Sequence, residues 1–227
     1  MEPFDQIVRT ISLTMGAAWG SGINLYATVL VLGFLGRTGN MVLPDQLAIL
    51  MDPMVTAAAG IMYLAEFVAD KVPGVDTGWD GIHTFIRIPA GALLAAGAVG
   101  DVNPAVAVAA GILGAGVAAG AHATKAGSRV LINTSPEPFS NWAASIMEDI
   151  AVIGGVWAAL RHPWVFLVLF AGFVLTAVWL LPRLWRGIKK VFRFVGKLFN
   201  SKGSTDTAPV SPPGDDAGAG GSNSGGF

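Results

Sequence analysis

The chain reads as an all-α membrane protein of about six transmembrane helices, and three observations carry that reading. Apolar residues make up 53% of its 227 residues and charged residues 13%, with a mean hydropathy of +0.60, whereas soluble domains carry about 25% charged residues. The apolar residues gather into runs close to the ~20 residues that cross a hydrocarbon core. Stretches rich in Gly, Pro and charge punctuate those runs.

Six segments follow in order. Residues 7–36 are too long for one straight span, and Gly20-Ser21-Gly22-Ile23-Asn24 interrupts them. An unwound stretch there would free backbone groups, and its Ser and Asn side chains would line a site. Residues 53–69 end in Glu66, with Asp70 and Lys71 just beyond; Glu66 and Asp70 share one face if the helix persists. Residues 82–99 are short and open with His83, Arg87 and Pro89, which suits a tilted or re-entrant segment. Residues 104–123 are rich in small side chains, including Gly111, Gly116 and Gly120, that permit close helix packing within the chain or in a homo-oligomer. Residues 139–160 place Glu148 and Asp149 about ten residues in, near mid-membrane. Residues 163–182 carry no Lys, Arg, Asp or Glu before Pro182, and they complete a bundle over 1–182.

Beyond the bundle, Leu184, Trp185, Ile188, Val191, Phe192, Val195, Leu198 and Phe199 recur at helical spacing with Arg and Lys opposite. Residues 183–202 therefore read as a basic amphipathic interfacial helix, held to anionic headgroups by ~1 kcal/mol per basic residue. The Gly/Ser/Pro/Asp composition of 203–227 cannot form a core and predicts a disordered tail.

With six crossings and both termini cytoplasmic, twelve of the fourteen Lys and Arg lie inside and only Arg37 and Arg161 outside, as the positive-inside rule asks. The chain has no Cys, which excludes disulfides and thiolate chemistry. Its N-terminus lacks a cleavage site after a short apolar core. No phosphate loop, HExxH or GxSxG motif occurs, no cofactor is implied, and no basic nucleic-acid surface is present.

Three spans on each side of the middle predict two inverted halves, the commonest build of small secondary transporters. Gly16–Gly20 resembles Gly116–Gly120, and Leu64-Ala65-Glu66 resembles Ile146-Met147-Glu148. Ionised groups inside a membrane are rare and face a cavity, a partner or a substrate. Asn24, Glu66, Asp70, Glu148 and Asp149 are therefore the candidate ligands for a small ion or metabolite. Lys71, His122, Lys125 and Arg129 are the candidates for gating or charge balance, the last three forming one helical stripe that headgroups would also satisfy. Asp76, Asp80 and His83 offer hard metal ligands in a glycine-rich loop, at a spacing that matches no standard motif.

Three stretches, GSGINLYATVLVLG from Gly20, AEFVADKVPGVDTGWDGIHTFIRIPAGALLA from Ala65 and AHATKAGSRVLINTSPEPFSNW from Ala121, together resemble a family of bacterial multi-pass membrane proteins known only as a domain of unknown function. The resemblance implies the bacterial inner membrane. A fainter one is to cation/proton exchangers built as three-plus-three inverted repeats, whose spans carry Glu-x-Gly-Asp-Lys. Here Glu66-Phe-Val-Ala-Asp70-Lys71 is one residue longer and lacks the glycine. The leading expectation is a small cation- or proton-coupled transporter. The alternatives are a non-transporting membrane scaffold or accessory subunit, and an enzyme on lipid-linked substrates that uses His122 as acid or base.

Overall fold

A computed structural model describes residues 3–72, 74–134 and 139–201, all helix, turn or loop. Helix α1 runs Pro3–Arg37, and a 3₁₀ helix, Asp45–Met51, leads into α2, Pro53–Ala69. Then come α3, Val75–Ala98, α4, Pro104–Ile132, α5, Phe139–Arg161, and α6, Pro163–Ser201. Five single helices are long and apolar enough to cross a membrane, and the 3₁₀ helix with α2, bent by 65°, makes a sixth candidate.

Residues 3–189 form one compact unit and 190 onward another. Within the first, α1 does not run straight. Asn24 leaves the helical region at φ −145°, ψ 97°, and the chain doubles back there. A Cβ at Gly20 would collide with the Thr28 hydroxyl, although eight residues of straight helix separate two groups by ~12 Å. Leu13 and Leu35 line one cavity, where a straight helix would hold them ~33 Å apart. The two arms, residues 3–23 and 25–37, thus make a helical hairpin that packs against α2, α3, α4 and α5.

The sequence causes this locally. Gly22 lies against the Ala118 carbonyl of α4, where any Cβ would intrude. Asn24 caps the second arm, its Oδ1 accepting from the Ala27 N–H at 2.9 Å, the standard use of Asn at a helix start. Thr28 donates to the Asn24 carbonyl at 2.9 Å. The break expected over residues 20–24 is present, and it reverses the chain instead of unwinding one span.

Because both arms begin and end at one side, residues 3–11 share that end with the loop before α2, the α3–α4 turn and the α5–α6 turn. Phe4 meets Trp164 there, ring centroids 5.7 Å apart, and Arg161 donates to Asn40. We call this end A. α2 leaves end A, α3 returns, and α6 leaves it to bring Leu184 against Gly127 and Gly187 against Leu131 on α4, at end B. Residues 3–11 and 183–189 thus lie at opposite ends, whereas six crossings would bring them together. The hairpin is the reason. It also distinguishes α1 from its expected counterpart α4, which is helical throughout.

Three boundaries shift. α3 begins at Val75, so the expected loop over 70–81 is helix from Val75 onward, and α4 runs nine residues past 123. α6 continues through Pro182 where a separate helix was expected. There Arg183 donates to the Trp179 carbonyl at 2.6 Å and stacks on its ring, supporting a turn that proline deprives of a donor. The expected tail over 203–227 lies outside the described residues, as do Ser135 to Pro138.

Candidate functional site: a buried charge cluster beneath the hairpin tip

Between the hairpin tip and end B, four helices turn charged side chains inward. α2 supplies Glu66 in its last turn with Asp70 at its C-cap, α3 supplies Asp76, Asp80 and Arg87, α4 supplies His122, Lys125 and Arg129, and α5 supplies Asn141, Glu148 and Asp149. Arg87, Arg129 and Glu66 are fully buried. Helical spacing explains the convergence. Asp76, Asp80, Thr84 and Arg87 fall at four- and three-residue steps on α3, and His122, Lys125 and Arg129 do the same on α4, so each set makes a stripe on one face.

The pairing is dense. Arg87 bridges Glu66 at 2.7 Å and Asp80 at 3.0 Å. The Lys125 ammonium lies 3.0 Å from Asp70, 3.1 Å from Glu66, 3.5 Å from Glu148 and 3.7 Å from Asp80. Arg129 grips Glu148 with two parallel bonds, Nε to Oε1 at 3.1 Å and Nη2 to Oε2 at 2.8 Å. It also donates to the carbonyls of Asp70 and Asn141, tying α4 to the ends of α2 and α5. The bidentate form gives orientation as well as strength.

His122 sits between Arg87 Nη1, 3.3 Å from Nδ1, and Thr84 Oγ1, 2.7 Å from Nε2. If Nδ1 accepts from the guanidinium, Nε2 carries the proton and donates to Thr84, which donates on to the Asp80 carbonyl at 3.0 Å. That chain describes a neutral imidazole with both nitrogens committed. Asp76 accepts from the Gly74 and Thr77 N–H groups and twice from Asn133, whose Oδ1 in turn accepts from Asn141. His83 stacks on Trp79 and meets the Tyr26 hydroxyl at 3.0 Å. Asp76, Asp80 and His83 therefore serve three separate networks, and no metal-binding group of three acidic, His or Cys side chains occurs among the described residues.

At the tip itself, Asn24 Nδ2 donates to Asp149 Oδ1 at 3.1 Å. Ser21 donates to the Arg87 carbonyl at 2.9 Å, which seats the hairpin on α3. Asn24, Glu66, Asp70, Glu148, Asp149, His122, Lys125 and Arg129 thus converge as a group. Lys71 does not join them: it folds over the Phe67 ring and donates to the Phe67 carbonyl at 3.0 Å. Burial draws its ammonium pKa down, with Asp149 and Asp70 opposing.

Among the described residues, six carboxylates (Glu66, Asp70, Asp76, Asp80, Glu148 and Asp149) face three buried cations (Arg87, Lys125 and Arg129), with Lys71 at the edge acting on Asp149 and Asp70. Glu66 Oε2, Asp70 Oδ1, Asp80 Oδ2 and Asp149 Oδ2 are buried and accept no hydrogen bond from protein groups. Such atoms are exceptional in a folded interior. On the other side of the tip, at end A, a cavity of about 630 Å³ opens between the two arms, lined by Arg9, Thr10, Leu13, Leu35, Asn40 and Arg161 among others.

Sequence reasoning placed Arg87 at the start of a span and Asp80 in a glycine-rich loop as a metal ligand, and gave no site role to Thr84, Tyr26, Asn133 or Asn141. The signal for α3 was its four- and three-residue spacing, hidden by Gly74, Gly78 and Gly81, which read as loop.

No curated protein and no solved structure matches this chain. A family model matches residues 11–183, from the first arm of the hairpin to the base of α6, and the chain belongs to that family, described as a domain of unknown function (DUF4126).

Proposed function

We propose that the protein is a small secondary transporter coupled to protons or to a monovalent cation. One observation carries the reading: a cluster buried in the bundle holds six carboxylates against three buried cations, with four carboxylate oxygens uncommitted. A charge in the membrane costs at least ~2.5 kcal/mol by insertion scales, so a purely structural network would be expected to balance its charges. An excess of buried carboxylate suits a site whose neutralising partner comes and goes. The re-entrant hairpin supports the same reading, since discontinuous helices with freed ends at mid-membrane are the usual frame of a transport site.

In this reading the protein lies in the bacterial inner membrane, crosses it with α2 to α6, and inserts the hairpin from end A. Arg183, Arg186, Lys189, Lys190 and Arg193 follow the last crossing, so the positive-inside rule makes end B cytoplasmic. The N-terminus then lies on the opposite face. The dense pairing favours a second reading, a non-transporting scaffold whose ion pairs hold the helices in register. His122, with both ring nitrogens committed to Arg87 and Thr84, suits a positioning role better than acid–base catalysis.

The test is flux in proteoliposomes carrying a pH-sensitive dye, with Glu66→Gln as the comparison. Proton movement driven by an imposed cation or pH gradient, present in the wild type and lost in a folded Glu66→Gln protein, is the expected result. No protein-dependent flux under any gradient would leave the scaffold reading standing.

A further inference from the structure

We infer that Asp149, at the tip of the hairpin, is the group that takes up and releases a proton in this cluster. The inference rests on the transporter reading for its purpose but not for its chemistry.

The other five carboxylates have lasting partners. Glu66, Asp70, Asp80 and Glu148 each lie within 4.0 Å of at least one of Arg87, Lys125 and Arg129, and Asp76 takes N–H donors from two backbone groups and Asn133. Asp149 has no ion pair among the described residues. It is 8% exposed, its Oδ1 accepts from Asn24, and its Oδ2 has no donor in hydrogen-bonding geometry, with the Tyr63 hydroxyl nearby. It is therefore the cluster carboxylate against which no cation is held within 4.0 Å among the described residues, and the one most open to neutralisation by a mobile ligand.

Its surroundings select a proton. Asn24 presents a donor, because its Oδ1 is already occupied as the cap of the second arm. The Tyr63 phenol of α2 stands beside Asp149, again an O–H group. Glu66 on α2 and Lys125 on α4 act on it from opposite signs, Glu148 is its chain neighbour, and Lys71 lies within reach beyond α2. A bare sodium ion needs several oxygen acceptors, and the hairpin side supplies an amide N–H instead. A proton needs one lone pair, which Oδ2 offers.

The experiment is difference infrared spectroscopy of the purified full-length protein in lipid vesicles, titrated with acid and base in sodium-free and sodium-containing buffer. The C=O stretch of a protonated carboxyl group should appear on acidification, vanish in Asp149→Asn and persist in Glu148→Gln. Should Asp149→Asn fail to fold, Asn24→Ser provides the check, because Ser keeps the capping oxygen and removes the amide donor. Losing a hydrogen bond to the charged form should move the titration midpoint towards alkaline pH by about one unit, a tenfold change in proton affinity. A band that survives Asp149→Asn, or a midpoint unmoved in Asn24→Ser, overturns the inference. So does a band whose midpoint tracks sodium concentration, which would assign the site to the cation. A titrating Asp149 without flux would refute transport while leaving this assignment intact.

Discussion

Lys125 is the side chain on which the cluster most depends, and Lys125→Met tests the electrostatic account directly. Methionine keeps the length and the apolar stem and deletes the charge. Four carboxylates lie within 3.7 Å of the ammonium, and each contact is worth ~4–6 kcal/mol of attraction at an effective dielectric near 20. Desolvating the ammonium cancels much of that, and removing one partner of a buried pair typically costs ~3–5 kcal/mol net. For a bundle of this size ~4 kcal/mol corresponds to a fall of ~10 °C in the unfolding midpoint. The assay is thermal unfolding of purified protein in one detergent, followed by tryptophan emission. The double variant Glu66→Gln/Lys125→Met should recover part of the loss, because it lowers the carboxylate excess around the deleted ammonium, whereas Glu66→Gln alone should destabilise by leaving Arg87 with Asp80 as its one ion-pair partner among the described residues. Lowering the pH should narrow the gap between Lys125→Met and wild type, since protonating the stranded acids relieves their repulsion. An unfolding midpoint for Lys125→Met equal to that of the wild type, with no coupling to Glu66, would refute this account of the cluster.

Two further outcomes follow from the hairpin. Gly22→Ala should cost ~1–3 kcal/mol and lower the unfolding midpoint, because its methyl group meets the Ala118 carbonyl of α4 and backbone cannot yield cheaply; an unchanged midpoint would mean the tip is not seated there. Because the chain has no cysteine, Asn40→Cys and Arg186→Cys give clean single labels. In right-side-out spheroplasts a membrane-impermeant maleimide should label residue 40 and leave residue 186 untouched until the cells are broken, and equal labelling of both would contradict the placing of these residues at opposite ends.

The helices were legible because long apolar runs write themselves into composition: 53–69, 104–123, 139–160 and 163–182 all fall within observed helices. The stripe of His122, Lys125 and Arg129 was legible as a stripe, but its direction was not. Headgroups and buried carboxylates satisfy the same cations, and Glu66, Asp80 and Glu148 come into reach only once three other helices are assembled. The break at Asn24 was visible in Gly20-Ser21-Gly22, yet a kink and a reversal share those residues. What decides for reversal is remote: the Ala118 carbonyl against Gly22 and Asp149 against the Asn24 amide. The opening of α3 was misread as loop because Gly78 and Gly81 lower helix propensity by only ~1 kcal/mol each, which the buried networks of Asp76, Asp80 and Arg87 override.

The hairpin reaches from the arginine-lined cavity at end A to the carboxylates below, as α3 and α5 do, and if it is the moving part of the proposed transporter it would shift against α5. Its first arm meets α5 through Gly16 at Ala159, Gly20 at Val156 and the Ser12 hydroxyl on the Ala159 carbonyl at 2.9 Å. This contact is close, with small groups at Ser12, Gly16 and Gly20 and the Trp19 ring seated against Gly155, so a shift would have to carry that ring along. Joining Ser12→Cys to Ala159→Cys, by oxidation or by a short thiol cross-linker, would lock arm to helix without touching any charged residue. If the hairpin moves during transport, flux in proteoliposomes should stop on cross-linking and return when an oxidised pair is reduced, with each single-cysteine variant unaffected by the same treatment. Full flux through the cross-linked protein would show the hairpin to be a fixed plug.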